Sequence, residues 1–325
     1  MAAINFTDCF AGGSNLGTGS CNNNPSKVVG VSFHRLNEVF TATELLNART
    51  LFQAIFTDDT PSERGSFVPA FMSENQSEDV QRFTYPNGTS KVTRDVVNRF
   101  RMEHTLSKCV QDQLYRGYND QQGNFGVLIW DAGGKVWGEN VTDVNGTITG
   151  IKPIRLSEIY IEPLVWASEE EPTRYYFALE FANFQSLNVN ASSVQLNFSL
   201  SDLEQVQNAY LSLIAFTNPT TGTFQVGIAA CCGAENLVDA YPTLLNDPDA
   251  FVLTNRATGN AITIDSVTVV TVNEQKILLI DADAKDTYYP ASGQSMVLTL
   301  ASVSALAALG IEYYEAAQSI VITRP

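Results

Sequence analysis

Gly126-Val127-Leu128-Ile129-Trp130-Asp131-Ala132-Gly133-Gly134-Lys135-Val136-Trp137 is the stretch from which the fold is read. An apolar run, an Asp-x-Gly-Gly turn and a second apolar run predict a β-hairpin. Outward from it the same language continues. Leu156 to Trp166 and Arg174 to Phe184 alternate, with Ile159 and Ile161 set against Glu158 and Glu162, and Phe177, Leu179 and Phe181 set against Glu180. Upstream, Val92 to Thr105 puts Val92, Val96, Phe100 and Met102 on one side and Asp95, Arg99, Arg101 and Glu103 on the other. Period-two patterns of this kind are half-buried strands with a charged face. Arg94 and Asn98 break the apolar side of the last one.

Helices are few. Thr41 and Glu44 have capping-box spacing, and Leu45, Ala48, Phe52, Ile55 and Phe56 follow at helical intervals, which predicts a helix over 42–56. A second helix is expected over 106–120, with Val110, Leu114 and Tyr118 as its stripe. Val28 to Leu36 reads as a strand and Pro69 to Gly88 as an extended loop. The first thirty residues, with Gly12, Gly13, Gly17, Gly19 and Asn22 to Pro25, read as an arm. They lack the Gly-Lys-Ser/Thr ending of a phosphate loop.

The small polar run Ser186 to Ser192 marks a boundary between a domain at 1–185 and another at 186–325. Charge divides there too: 15 − 22 = −7 before it and 4 − 13 = −9 after it. Beyond it, Val194 to Leu200, Leu211 to Phe216, Phe224 to Ala230, Phe251 to Thr254, Ala261 to Val272, Lys276 to Asp281, Ser295 to Leu300 and Ser319 to Thr323 are short strands. Gly, Pro, Asn and Asp punctuate them, the pattern of an immunoglobulin-type β-sandwich. The expected fold is mainly β: an α+β N-terminal domain of barrel or sandwich type with flanking helices, then an Ig-like sandwich.

Composition narrows function. The chain carries 19 basic against 35 acidic residues, a net charge of −16, and tight nucleic-acid binding draws instead on clustered Lys and Arg. Five cysteines, Cys9, Cys21, Cys109, Cys231 and Cys232, without recurring spacing, are expected to be free, mostly buried thiols in a reducing cytoplasm. No signal peptide or bilayer-spanning run is evident. His34 and His104 stand far apart with no nucleophile in view, so no catalytic residue and no cofactor is expected. Asp281, Asp283 and Asp286 lack the central glycine and the final glutamate of an EF-hand loop, so no metal is expected. Glu169 to Glu171 read as a solvated turn.

The ordered elements resemble those of tailed-bacteriophage tail tube proteins that carry a C-terminal Ig-like domain. The likeness rests on the early helix Thr41 to Phe56 and the loop after it. The strand Val92 to Thr105, a helix, the Trp130-Asp131-Ala132-Gly133-Gly134 hairpin and the strands Leu156 to Phe184 complete it. In the second domain, Asp249 to Asn255 followed by Thr258-Gly259 is similar to a strand and turn of phage Ig-like modules. The resemblance implies a virion structural protein, assembled in the bacterial cytoplasm, that forms hexameric rings stacked into a tube. Sheets would close into one barrel across subunits, and an acidic lumen would pass DNA without binding it. Asp95, Glu103, Glu158, Glu162 and Glu180 become lumen candidates, and Arg99 and Arg101 become inter-subunit candidates. Sheath, baseplate or terminator proteins would be partners. The alternative is a capsid decoration, fibre or adhesin protein that recognises a host surface, with Tyr241, Tyr288 and Tyr289 as loop-tip aromatics.

Overall fold

A computed structural model describes residues 26–76, 81–94, 97–104, 106–119, 125–169, 172–183, 190–218, 222–230 and 235–325. The chain forms two compact units, 1–56 with 60–204, and 57–59 with 205–325. The division thus falls at 204/205 and not at 185/186. The reason is the strand Ala191–Gln195, expected in the second domain, which pairs with Lys135–Thr142 of the first. Val194, Leu196, Leu200 and Leu203 then close an aromatic core of the first unit.

In the first unit the strands are β1 (Val28–Arg35), β2 (Phe40–Thr41), β3 (Ser66–Pro69), β4 (Phe71–Asn75), β5 (Gln81–Thr84), β6 (Ser90–Arg94), β7 (Arg99–His104), β8 (Phe125–Asp131), β9 (Lys135–Thr142), β10 (Ile148–Lys152), β11 (Ile154–Ile161), β12 (Tyr175–Phe181) and β13 (Ala191–Gln195). Its helices are α1 (Ala42–Leu45), α2 (Ala48–Phe56) and α3 (Lys108–Tyr118). One sheet runs β2-β10-β9-β8-β11-β12-β7-β4, with β1 bridging β8 and β3, and β13 on β9. The fold is mainly β, with a curled half-barrel sheet among several sheets.

Strands β1 and β8 are buried on both sides because both sides are covered. Val31, Phe33, Val127 and Ile129 enter one core, which Leu114 of α3 helps to close. Leu128 and Trp130 enter the other, filled by Phe40, Phe52, Phe56 and Phe67. The residues of α2 that reach this core, Ala48, Phe52 and Phe56, lie four apart on one helical face.

The hairpin turn is held by Asp131. Its buried carboxylate accepts from the backbone N–H of Ser26 (3.2 Å), Gly133 (2.9 Å) and Lys135 (3.0 Å) and from Trp137 Nε1 (2.9 Å). Gly134 takes φ +75°, the left-handed conformation that glycine enters without strain.

Three expected elements differ. The helix over 42–56 is two, since Leu46 and Asn47 donate to carbonyls three residues back and tighten the chain after the Thr41–Glu44 capping box. The long strand from 92 to 105 is also two: β6 pairs with β5 in a separate hairpin, and β7 joins the main sheet. Buried Asn98 lies between them, its carbonyl accepting from Phe181 N–H. The region expected as a loop after Pro69 carries β4, which pairs with β7.

The second unit comprises β14 (Gln207–Asn218), β15 (Thr223–Ala230), β16 (Glu235–Asn236), α4 (Leu237–Ala240), β17 (Phe251–Asn255), β18 (Ile264–Val272), β19 (Gln275–Ala282), β20 (Ser295–Leu300), α5 (Val303–Ala308), β21 (Tyr314–Gln318) and β22 (Ile320–Thr323). One sheet runs β18-β19-β15-β14-β21 with β16 on β15, and another runs β17-β20-β22. Val226, Leu278 and Ile280 from the first meet Leu253, Met296, Leu298 and Ile322 from the second in one core.

Replacing Asp131 with alanine strands buried donors in the turn. The expected cost is about 2–3 kcal/mol, read as a lower urea midpoint with an unchanged slope. Burial alone would push the Asp131 pKa up, but the bonds from Trp137, Lys135, Ser26 and Gly133 outweigh it and hold the pKa below the usual carboxylate value. Its stabilisation is therefore complete above about pH 4 and is lost as pH falls through that lowered value.

Candidate functional site: a charged sheet face

The candidate site is one face of the four strands β4, β7, β12 and β11. Along β7, Phe100 and Met102 turn to the core, so Arg99, Arg101 and Glu103 share the other face. Register then fixes their neighbours. Arg99 lies opposite Glu180, Arg101 opposite Ala178 and Glu103 opposite Tyr176. On the far side of β12, Glu158 lies opposite Glu180 and Tyr160 opposite Ala178. On β4, Phe71 and Glu74 stand opposite Glu103 and Arg101. Glu162, just past β11, donates its N–H to the Tyr176 carbonyl.

The structure thus gathers Glu103, Glu158, Glu162, Glu180, Arg99 and Arg101 on one surface. Asp95 lies outside the described residues. Glu74 belongs to the group and escaped sequence reading, because its segment was taken for a loop. Two arginines against five glutamates leave this face at 2 − 5 = −3.

Part of the charge is locked in place. Arg101 Nε and Nη2 each donate to Glu162 at 2.7 Å, a bidentate pair whose side chains are 25% and 20% exposed. The same guanidinium lies over the Tyr176 ring, 3.7 Å from its centroid, which helps explain how Tyr176 is buried on a charged face. The Glu162 hydrogen bond, working against burial, raises the Arg101 pKa above its ordinary value. Glu158 and Glu180 are a different case. Like charges directly opposite on a sheet repel, and a bulge at this pair lets Ser157 Oγ donate to Glu180 Oε1 at 3.0 Å.

Behind the Arg101–Glu162 pair, α3 is fastened by Gln111. Its amide N–H donates to the carbonyls of Glu162 (3.0 Å) and Tyr176 (2.9 Å), leaving its oxygen to accept from His104 Nε2 (2.8 Å). His104 Nδ1 is buried without a hydrogen-bond partner. Between α3 and the end of β11 lies an open cavity of about 370 Å³, with Lys108, Asp112, Tyr115, Asn119, Tyr160 and Glu162 among its walls.

A second cluster has the outline of a nucleophile site. Ser32 Oγ is 2.9 Å from His34 Nε2, and His34 Nδ1 is 2.8 Å from Glu38. Sequence reading missed Ser32 and Glu38 as partners of His34. Strand geometry puts residues two apart on the same side, and this was the available signal. Ser32 and His34 are 0% and 1% exposed, and rings of Phe40, Phe52 and Phe56 surround the imidazole. Trp130 Nε1 also donates to Ser32 Oγ at 2.9 Å. A donor chain from Trp130 through Ser32 and His34 to Glu38 satisfies each of these groups, and the Ser32 side chain is fully buried.

The remaining candidates disperse. Asp286 accepts from Thr263 and Tyr288, Asp283 from Lys285, and Asp281 from Thr223, so these carboxylates cap local turns and strands. Tyr288 is exposed, while Tyr241 and Tyr289 pack against the core, so the three form no exposed cluster. Cys109 is disulfide-bonded, which corrects its expected free thiol; the other four cysteines lie outside the described residues. No helix among the described residues is long and apolar enough to cross a membrane. No family model matches this chain, and no curated protein or solved structure matches it.

Two measurements check the site. A double-mutant cycle with Arg101→Met and Glu162→Gln is expected to give a coupling of about 1–2 kcal/mol, and Arg101→Lys should lose much of it because lysine cannot form the two-pronged bond. Burial lowers the His104 pKa, against the raising effect of its Gln111 bond. The unfolded chain therefore takes up the proton first, and stability should fall as pH drops below about 6.5. In His104→Gln, a comparison of urea midpoints at neutral and mildly acidic pH should show that part of the fall removed.

Proposed function

We propose that this chain is a structural subunit of a bacteriophage tail tube, forming rings, hexameric in the simplest case, that stack around a channel for DNA. The observation that carries the reading is the two-faced sheet of β4, β7, β12 and β11. One side is a closed apolar core, and the other gathers glutamates on a single surface. A lumen needs such a wall: phosphate is repelled at short range, while salt screens the charge beyond about 8 Å. β4 ends the described sheet path, at the position where a neighbouring subunit's strand would continue the barrel.

In this reading Glu103, Glu158 and Glu180 line the channel. Arg101 and Glu162 fix the surface beneath them, and Arg99 faces a neighbour. The second unit is an Ig-like sandwich on the outside. Sheath, baseplate or terminator proteins would bind the assembled tube, which works in the virion tail, has no catalytic task and needs no cofactor. The disulfide at Cys109 suits a particle that acts outside the reducing cytoplasm where it is built.

One observation favours a second reading, a virion component that binds a host surface. The cavity beside α3 presents the rings of Tyr115 and Tyr160, 56% and 41% exposed, next to polar groups.

Negative-stain images of the concentrated full chain should show rings or tubes with a central channel. Monomers that persist at high concentration would sink the tube reading. Rings formed by Glu158→Lys/Glu180→Lys should retain DNA in a filter assay at physiological salt where wild-type rings do not.

A further inference from the structure

Among the described residues, the second unit leaves one long strand edge without a strand partner. β18, nine residues long, pairs with β19 on one side, and among the described residues nothing pairs with its other side. Exposed edges are ordinarily blunted by Lys, Pro, a bulge or a covering segment. In the sister sheet, Ala261 bridges to Thr254, and Ile262 donates to the Leu253 carbonyl, so the β17 edge is covered. β18 has no Lys and no Pro. Its single charge, Asp265, coincides with its bulge at the N-terminal end, leaving Ser266-Val267-Thr268-Val269-Val270-Thr271-Val272 regular and uncharged.

We propose that this edge binds a second copy of the chain, by antiparallel pairing of β18 with itself about Thr268. The turn to β19 fixes which backbone groups are available. Asn273 and Glu274 both take positive φ, 49° and 67°, in a two-residue loop, so Val272 and Gln275 form the closing hydrogen-bonded pair. Hydrogen-bonded pairs then alternate along the hairpin. Val272, Val270, Thr268 and Ser266 point their N–H and C=O groups at β19, and Thr271, Val269 and Val267 point theirs outward.

Those outward groups are self-complementary. A two-fold axis at Thr268 sets Val267 against Val269 of the second copy, donor to acceptor in both directions, and pairs the regular stretch 266 to 270 of the two copies, with the bulge at Asp265 flanking it. Asp265 falls opposite Thr271, so no like charges meet. That counts for a chain of net charge −16, since two copies repel over most of their surfaces and this segment is uncharged. Beside the edge, the outer sheet face carries exposed Val272 with half-buried Val270 and Leu279, an apolar strip that a joined sheet would continue. The closed pair uses up each edge and so ends growth, unlike an open stack of strands. This proposal stands on the edge alone and does not depend on the tube reading.

The register makes the test specific. Thr268 would face Thr268 of the second copy as a non-hydrogen-bonded pair, with Cα atoms about 4.5 Å apart, inside disulfide range. In the full chain, Thr268→Cys under mild oxidation should form a covalent dimer at least about tenfold faster than Ser266→Cys or Val270→Cys, with wild type as background for the native cysteines. Thr268→Lys opposes two ammonium groups at the axis. It should weaken dimerisation in sedimentation velocity by about tenfold, with the urea midpoint kept, while Thr268→Val should dimerise like wild type. Cross-linking at 268 no faster than at 266 would overturn the proposal. So would association unaffected by Thr268→Lys, a monomeric wild type at all concentrations, or open fibres in place of dimers.

Discussion

The first unit depends on two strands having water on neither side. β1 and β8 lie between an aliphatic core and an aromatic one, and from that position much else follows. Polar groups on these strands must be satisfied within the protein, because a buried unpaired donor or acceptor costs about 1–3 kcal/mol. The line from Trp130 through Ser32 and His34 to Glu38 meets that demand on the aromatic side. Asp131 meets it where β8 ends. The triad-like outline meets a demand that burial makes: the strand needs polar groups paired, and serine and histidine two residues apart pair with each other.

Double coverage at the centre leaves single coverage toward the β4 end of the sheet. There the strands β11, β12 and β7 keep one apolar side, and their other side carries charge. Electrostatics on this surface is graded. Arg101 is held by two hydrogen bonds and a ring, so it neutralises Glu162 in place. Arg99 stands opposite Glu180, and Glu158 stands opposite the same residue from the other side. The uncompensated glutamates are then Glu158 on one side of the half-buried pair and Glu74 and Glu103 on the other, so the net charge of −3 is spread around that pair.

Much of this was legible in the sequence. Alternation in Arg99 to Glu103, Leu156 to Glu162 and Tyr175 to Phe181 gave the right side for each charged residue, because period two is a property of the extended backbone itself. Which strands would be neighbours was not legible. Pairing Glu158 with Glu180, or Arg101 with Ala178, depends on register between distant segments, and no local pattern encodes it. The boundary misled for a related reason. Ser186 to Ser192 has a linker composition, yet the chain returns at Ala191 to pair with β9, and a long-range ladder outweighs local polarity. Asn98 and Arg94 did signal the break between β6 and β7, since a polar residue on an apolar stripe must either find a partner or end the strand. The disulfide at Cys109 lay beyond spacing arguments, which cannot say which thiols the fold brings together.

The sheets also differ in how they treat their margins, and that difference argues for distinct tasks. β4 ends its sheet with a glutamate, a bulge and four exposed side chains, features that blunt an edge against unintended strands while leaving backbone groups for a partner of matching charge. β17 is closed off by its own following residues. β18 is regular and uncharged through its C-terminal seven residues, and no strand among the described residues pairs with its outer side. A bare edge of this length is an aggregation hazard in any protein. In a chain of net charge −16, its survival is most simply understood if pairing there is part of what the molecule does, with the surrounding negative charge discouraging other contacts between copies.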